Sequence, residues 1–190
     1  MTHLPTLAEI MAMFIRFELV YGWTSPNPEV DQDGNKFSIT AVEDDWSFRD
    51  RWRSGSFVEE GWAYGHTALS YKNTDLIVIQ FQGYYTEDAV QRVVIPAINR
   101  TYQAGIFYGG RGMSFDTDNL LYENEVSGIS YSPHGEFFDA FEGDPRDARR
   151  IIDFHGREHV KDYSGGFPGV EIGFHKYQGG LLVPESLIRA

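Results

Sequence analysis

Trp46-Ser47-Phe48-Arg49-Asp50-Arg51-Trp52, followed by Gly55, alternates aromatic and polar residues with a period of two. That period marks a half-buried β-strand, in which every second side chain shares a face. The device returns at Phe137-x-Asp139-x-Phe141, followed by Gly143. In both stretches an aspartate falls on the aromatic face, the one normally buried, where a carboxylate is costly unless hydrogen-bonded or paired. The pattern predicts a sheet with an aromatic inner face and two inward carboxylates. These either cap the glycine turns that follow them or belong to a site.

Outward from this stretch, residues 37–42 alternate well, and residues 57–64 and 66–71 read as a strand pair separated at Gly65. Lys72 to Asp75 is a polar turn, and Leu76 to Phe81 is the most apolar run, suited to a central strand. Further strands are expected near 120–131, 135–141, 154–160 and 170–177. Thr6 and Glu9 form a capping box ahead of Leu7, Ile10, Met11, Phe14 and Phe17, which predicts a helix over about 6–21 that ends at Gly22. A loop follows over 24–36. A second helix is expected from Thr86, with Glu87 and Asp88 at the positive end of its dipole and Val90, Val93, Val94, Ala97 and Ile98 as its apolar face. Pro96 inside that pattern predicts a kink or restart. The glycines of 105–119 suggest a flexible loop, and Asp144-Pro145-x-Asp147 a short helix to about Asp153.

The expectation is a single α+β domain over 1–190, with a twisted antiparallel β-sheet and helices packed on one face. Residues 37–85 and 120–183 share a loose order of motifs, which leaves room for an internal duplication. A compact chain of 190 residues has a radius of gyration of roughly 16 Å and buries about 70% of its extended surface without needing a metal or disulfide. There is no cysteine, which excludes disulfides, thiol catalysis and Cys-based zinc sites. Glu9 and Arg16 interrupt the apolar N-terminal run, so neither a signal peptide nor a membrane span is expected, and a cytoplasmic location is. The net charge of −12, from 28 acidic and 16 basic residues, argues against direct binding to nucleic acid or anionic membranes.

Four pieces of chemistry stand out. Asp50, Glu59, Asp139 and Glu158 are candidate catalytic carboxylates, because burial among aromatics raises a carboxyl pKa into a useful range. Trp46, Trp52, Trp62 and Tyr84 are candidate ligand contacts on an aromatic-rich sheet face. Arg111, in Tyr108-Gly109-Gly110-Arg111-Gly112, is a candidate anion contact on a mobile loop, although this loop lacks the lysine and flanking elements of a phosphate-binding loop. His155 and His159 have helical zinc spacing, but in a strand they stand about 13 Å apart, so no metal site is expected. No cofactor is expected either.

A wider order of motifs carries a resemblance. Phe48-x-Asp50, Gly55, Phe57 with Gly61, Gly83-Tyr84-Tyr85, Tyr122-x-x-x-Val126-x-Gly128, Phe154-x-Gly156-x-Glu158 and Tyr177-x-Gly179-Gly180 succeed one another from about residue 7 to 183. The chain thereby resembles the bacterial family known as domain of unknown function 5680. Some members of that family are joined to a helix-turn-helix, which this chain lacks space for ahead of Leu7. The stretch Asp144 to Asp153 is extra relative to the family pattern. The resemblance implies no established activity. The leading expectation is a non-catalytic binding or regulatory module that takes a small molecule or protein partner on its aromatic-rich sheet face. A small hydrolase or isomerase with paired carboxylates is the alternative. A second alternative is an acidic inhibitor or mimic that blocks a nucleic-acid-binding partner.

Overall fold

A computed structural model of the protein describes residues 5–55, 62–127, 129–131, 138–139 and 152–181. The chain opens with α1 (Leu7–Val20), then β1 (Asp31–Asp33), β2 (Lys36–Glu43), β3 (Trp46–Ser54), β4 (Trp62–Tyr71) and β5 (Thr74–Tyr85). A second helical segment joins α2 (Glu87–Ala89), a π-helical turn (Val90–Val94) and α3 (Ile95–Gln103). Then come β6 (Phe107–Tyr108), β7 (Phe115–Thr117), β8 (Leu120–Ser127), β9 (Ile129–Tyr131), β10 (Phe138–Asp139), β11 (Ile152–Asp162) and β12 (Val170–Leu181). Nine strands form one sheet in the order β1-β2-β3-β4-β5-β12-β11-β8-β7, and β10-β9-β6 form a small second sheet. Every pairing is antiparallel.

The capping box forms as expected: Glu9 N–H donates to Thr6 Oγ1 at 3.2 Å, and Thr6 N–H donates to the Glu9 carboxylate at 2.6 Å. Phe14 and Phe17 from α1 meet Phe48 of β3 with ring centroids 6.4 and 5.8 Å apart. Phe14 also meets Tyr102 of α3 and Phe107 of β6. The core is thus one cluster shared by both helical segments and one face of the sheet. No described helix is long and apolar enough to cross a membrane.

Pro96 restarts the second helix through a π-helical turn. Ile95 N–H reaches back to Val90 C=O, one residue further than an α-helical bond. The widened turn lies just before the proline, which has no N–H of its own to donate. The predicted strand pair around Gly65 is instead one strand, β4, with Gly65 directly opposite Trp52. The β4–β5 connection turns on Lys72 and Asn73, at φ 48° and 64°, the conformation of a tight hairpin that follows the strand twist. The 105–119 region contains β6 and β7 and carries a buried arginine. Ile152 and Asp153, expected to end a short helix, begin β11. The rest of that predicted helix lies outside the described residues.

Strand glycines have a packing role. Gly65 lies opposite Trp52, Gly83 opposite His175, Gly156 opposite Tyr177, Gly173 opposite Tyr85 and Gly179 opposite Phe154. At each, an added Cβ would collide with the neighbouring strand or its ring. Bulky rings therefore lie sideways over glycines, filling space the glycine leaves while covering backbone. Gly156→Ala should lower unfolding stability by about 1–3 kcal/mol through overpacking against Tyr177. Urea denaturation showing no loss would refute this account of the strand glycines.

Candidate functional site

The two sheet faces differ in kind. Toward the helices point Phe48, Asp50, Thr67, Ile79, Tyr122, Glu158, His175 and Tyr177, all buried. The opposite face carries two rows fixed by register. One runs Lys36, Arg53, Tyr64, Gln82, Lys176, Arg157, Glu125 across seven strands. The next runs Ser38, Arg51, His66, Gln80, Gln178, His155, Ser127. All fourteen residues of these rows line one open cleft of about 1330 Å³. A third row, Trp62, Tyr84 and Phe174, forms an aromatic edge beside them, with Trp62 and Tyr84 stacked at 6.4 Å and Arg157 lying 5.3 Å over Phe174.

The cleft's charge opposes that of the whole chain. Its lining holds five cations (Lys36, Arg51, Arg53, Arg157, Lys176) and three anions (Asp31, Asp33, Glu125), in a chain of net charge −12. Arg157 is engaged by Glu171 at 2.7 Å, and Lys36 lies 3.9 Å from Asp33. Arg51, Arg53 and Lys176 have no ion pair among the described residues. Burial and the neighbouring Arg51 and Arg49 hold the His66 pKa below its ordinary value, against a weaker opposing pull from Asp75.

On the inner face lies a buried polar seam. Arg111, 5% exposed, enters from the glycine loop with its guanidinium 4.7 Å from the Phe81 ring centre and 5.7 Å from that of Tyr177. Its Nε stands 3.8 Å from Glu158 Oε1, and His175 Nδ1 approaches the same oxygen to 3.3 Å. Tyr122 donates to the other Glu158 oxygen. Burial alone would raise the Glu158 pKa, but Arg111, His175 and Tyr122 together hold it below the usual range. Burial likewise keeps His175 below its ordinary value, so the imidazole is neutral near pH 7. At the other end, Asp50 accepts from Thr67 Oγ1 at 3.0 Å, and burial lifts its pKa to about 6. Glu18 of α1 is lifted further, to about 8, by burial and then by Asp50.

The carboxylate candidates therefore separate. Asp50 and Glu158 lie on the inner face, 1% and 0% exposed, and neither lines the cleft. Asp50 bonds across the strand to Thr67 and does not cap the Gly55 turn, where Gly55 N–H donates to Trp62 C=O. Asp139 sits in β10 opposite Ile129, and its side chain lies outside the described residues, as Glu59 does altogether. Of the ligand candidates, Trp46 packs against Tyr71 in a tilted pair with ring centroids 4.9 Å apart on the inner face. Trp52, inward on β3, stacks on Phe37, and both Trp52 and Phe37 also contribute to the cleft lining. Trp62 and Tyr84 form the aromatic edge. Arg111 is a core residue and not a surface anion contact. Its loop is pinned by Tyr102 Oη donating to Gly110 C=O at 2.8 Å and Asn124 Nδ2 to Gly112 C=O at 2.9 Å. His155 and His159 both lie in β11, and His159 pairs with Glu123 at 3.0 Å. His175 faces Glu158 on the inner face. Among the described residues no group of three or more His, Asp or Glu is arranged to share a metal ion.

Sequence reasoning missed Glu18 and the cleft cations. Glu18 follows Phe14 by one helical turn and Met11 by two, so it lies on the apolar stripe. The arginines of β3 alternate with the aromatics, and the strand period alone puts them on the opposite face. No family model, curated protein or solved structure matches the chain.

Arg111→Met should cost about 3–5 kcal/mol, because it leaves Glu158 charged and unpaired in the core. Adding Glu158→Gln should recover a large part of that loss. Chemical denaturation of both single variants and the double variant measures the coupling, and strict additivity would refute it. Glu18 makes the second prediction. Its folded pKa is raised from 4.5 to about 8, so its contribution to stability is full below the unfolded value and is lost as pH rises toward 8. His175, depressed from 6.5, acts in the opposite sense and only below that pH. Between pH 6.5 and 8 the melting temperature should therefore fall, and Glu18→Gln should flatten that fall. An unchanged slope in the variant would show that Glu18 does not hold the proton.

Proposed function

We propose that this chain is a non-catalytic binding module whose open sheet face takes a small anionic ligand. One observation carries the reading: two complete polar rows, with Arg51, Arg53 and Lys176 free of ion pairs among the described residues, cross a seven-strand cleft in an otherwise acidic protein. A cationic floor on a rigid sheet favours an anion, and the surrounding negative charge disfavours large polyanions. The volume of about 1330 Å³ suits a small molecule lying along the surface. Of the four candidate acid–base carboxylates, the two whose side chains are described, Asp50 and Glu158, are buried on the inner face and do not line the cleft, which supports binding over hydrolysis or isomerisation. We read the whole as a cytoplasmic single α+β domain with helices on one sheet face. Its resemblance to family 5680, in which some members carry a helix-turn-helix, fits a ligand-sensing role.

A thermal-shift screen of anionic metabolites tests the reading. A ligand at a hundred times its Kd should stabilise by about 2.7 kcal/mol. The shift should weaken as salt rises. Arg51→Ala/Arg53→Ala, both on exposed positions, should lose the ligand response while its own stability stays within about 0.5 kcal/mol for each site. An equal shift in the double variant, or no anion that shifts the wild type, would remove the proposal.

A further inference from the structure

We infer that the ligand is a phosphorylated, polyhydroxylated small molecule, its phosphoryl group held at Arg51 and Arg53 and its hydroxyls laid across Gln80, Gln82 and Gln178. This rests on the binding reading above and names its ligand class.

The cleft is asymmetric. At the β2–β4 end Arg51 and Arg53 point from the same face of β3, about 7 Å apart along the strand. Neither has an ion pair among the described residues. Lys36 stands across from Arg53 but lies 3.9 Å from Asp33 of β1, and Asp31 stands across from Ser38, so the net positive charge of this end comes from the two arginines. Ser38 and His66 flank Arg51, and Tyr64 flanks Arg53, adding hydroxyl and ring N–H donors. One guanidinium fork matches a single carboxylate. Two neighbouring forks match a dianion that offers three oxygens.

The centre is uncharged. Gln80, Gln82 and Gln178 sit on neighbouring strands, and Gln178 Nε2 already donates to Gln80 Oε1 at 3.3 Å. Each amide both donates and accepts. Hydroxyl groups do the same, so a polyol satisfies these amides in both senses, where an apolar or singly charged segment would leave one sense unmet. The far end, on β12 and β11, lies about 14 to 19 Å from β3, three and four strand spacings away. There Lys176 and Arg157 are offset by Glu171 and Glu125, so this end is close to neutral and does not call for a second phosphoryl group.

Calorimetry and ¹H–¹⁵N NMR with four probes test this: glucose phosphorylated on its primary hydroxyl, unphosphorylated glucose, inorganic phosphate and a linear dicarboxylate. The sugar phosphate should bind at least about tenfold tighter than each of the others. On the wild type it should shift the side-chain amide signals of Gln80, Gln82 and Gln178 and raise the pKa of His66, which also faces Arg51, Arg49 and Asp75. Arg51→Gln/Arg53→Gln should cancel the advantage over glucose, and Gln80→Leu/Gln178→Leu the advantage over inorganic phosphate. If the dicarboxylate or inorganic phosphate binds as tightly as the sugar phosphate, the ligand class is wrong while the anion-binding reading survives. If no probe moves the cleft signals and the wider anion screen is also empty, both fall.

Discussion

The pairing of Arg111 with Glu158 is the constraint around which the inner face is arranged. A guanidinium and a carboxylate this deeply buried are tolerable only if each finds compensation. Glu158 finds it in Tyr122 and His175 as well as Arg111. Arg111 finds it in the ring faces of Phe81 and Tyr177, where a flat cation is attracted to the π system. To place Arg111 there, the backbone must descend between helices and sheet. Gly109 and Gly110 adopt φ of 61° and 70°, and a Cβ at Gly110 would strike Ile79. The loop carbonyls then meet the hydroxyl of Tyr102 and the amide of Asn124. A replacement by apolar residues of equal volume could be as stable. What the ion pair adds is a unique position for the 108–113 segment between the two layers.

The second carboxylate pair on that face follows a different rule. Glu18 and Asp50 lie near enough to feel each other's charge, and burial makes two negative charges there expensive. A proton on Glu18 resolves the conflict, leaving Asp50 to accept from Thr67. The seam therefore runs from a protonated carboxyl at one end to a charge-paired one at the other. Its groups are engaged in holding layers together, which separates them from any chemistry in solvent.

The outer face shows the complementary side of the same period of two. On β3, Trp46, Phe48, Asp50 and Trp52 are inward, so Arg49, Arg51 and Arg53 are necessarily outward. Arg49 is neutralised by Asp75 at 2.5 Å, whereas Arg51 and Arg53 are left to the cleft. The low-dielectric sheet beneath them focuses their field toward the cleft, against the opposing negative charge of the rest of the chain. Net charge alone would have pointed away from any anionic ligand. The distribution, which only strand register specifies, points toward a small one.

The sequence by itself determined the local elements. The capping box at Thr6 and Glu9, the alternation of β2 and β3, the apolar run of β5 and the acidic first turn after Thr86 are legible because helix and strand periods are properties of neighbouring residues. Even the outward arginines follow from that period. Tertiary structure alone decided that β5 pairs with β12, which assembles the glutamines from distant segments. It also decided that Gly65 sits within a strand under Trp52, that Glu18 faces the core, and that a glycine loop with the look of a mobile surface segment delivers a buried arginine. These depend on partners far apart in the chain. A buried charge or a mid-strand glycine is costly locally, and it becomes acceptable only through contacts that no local pattern contains.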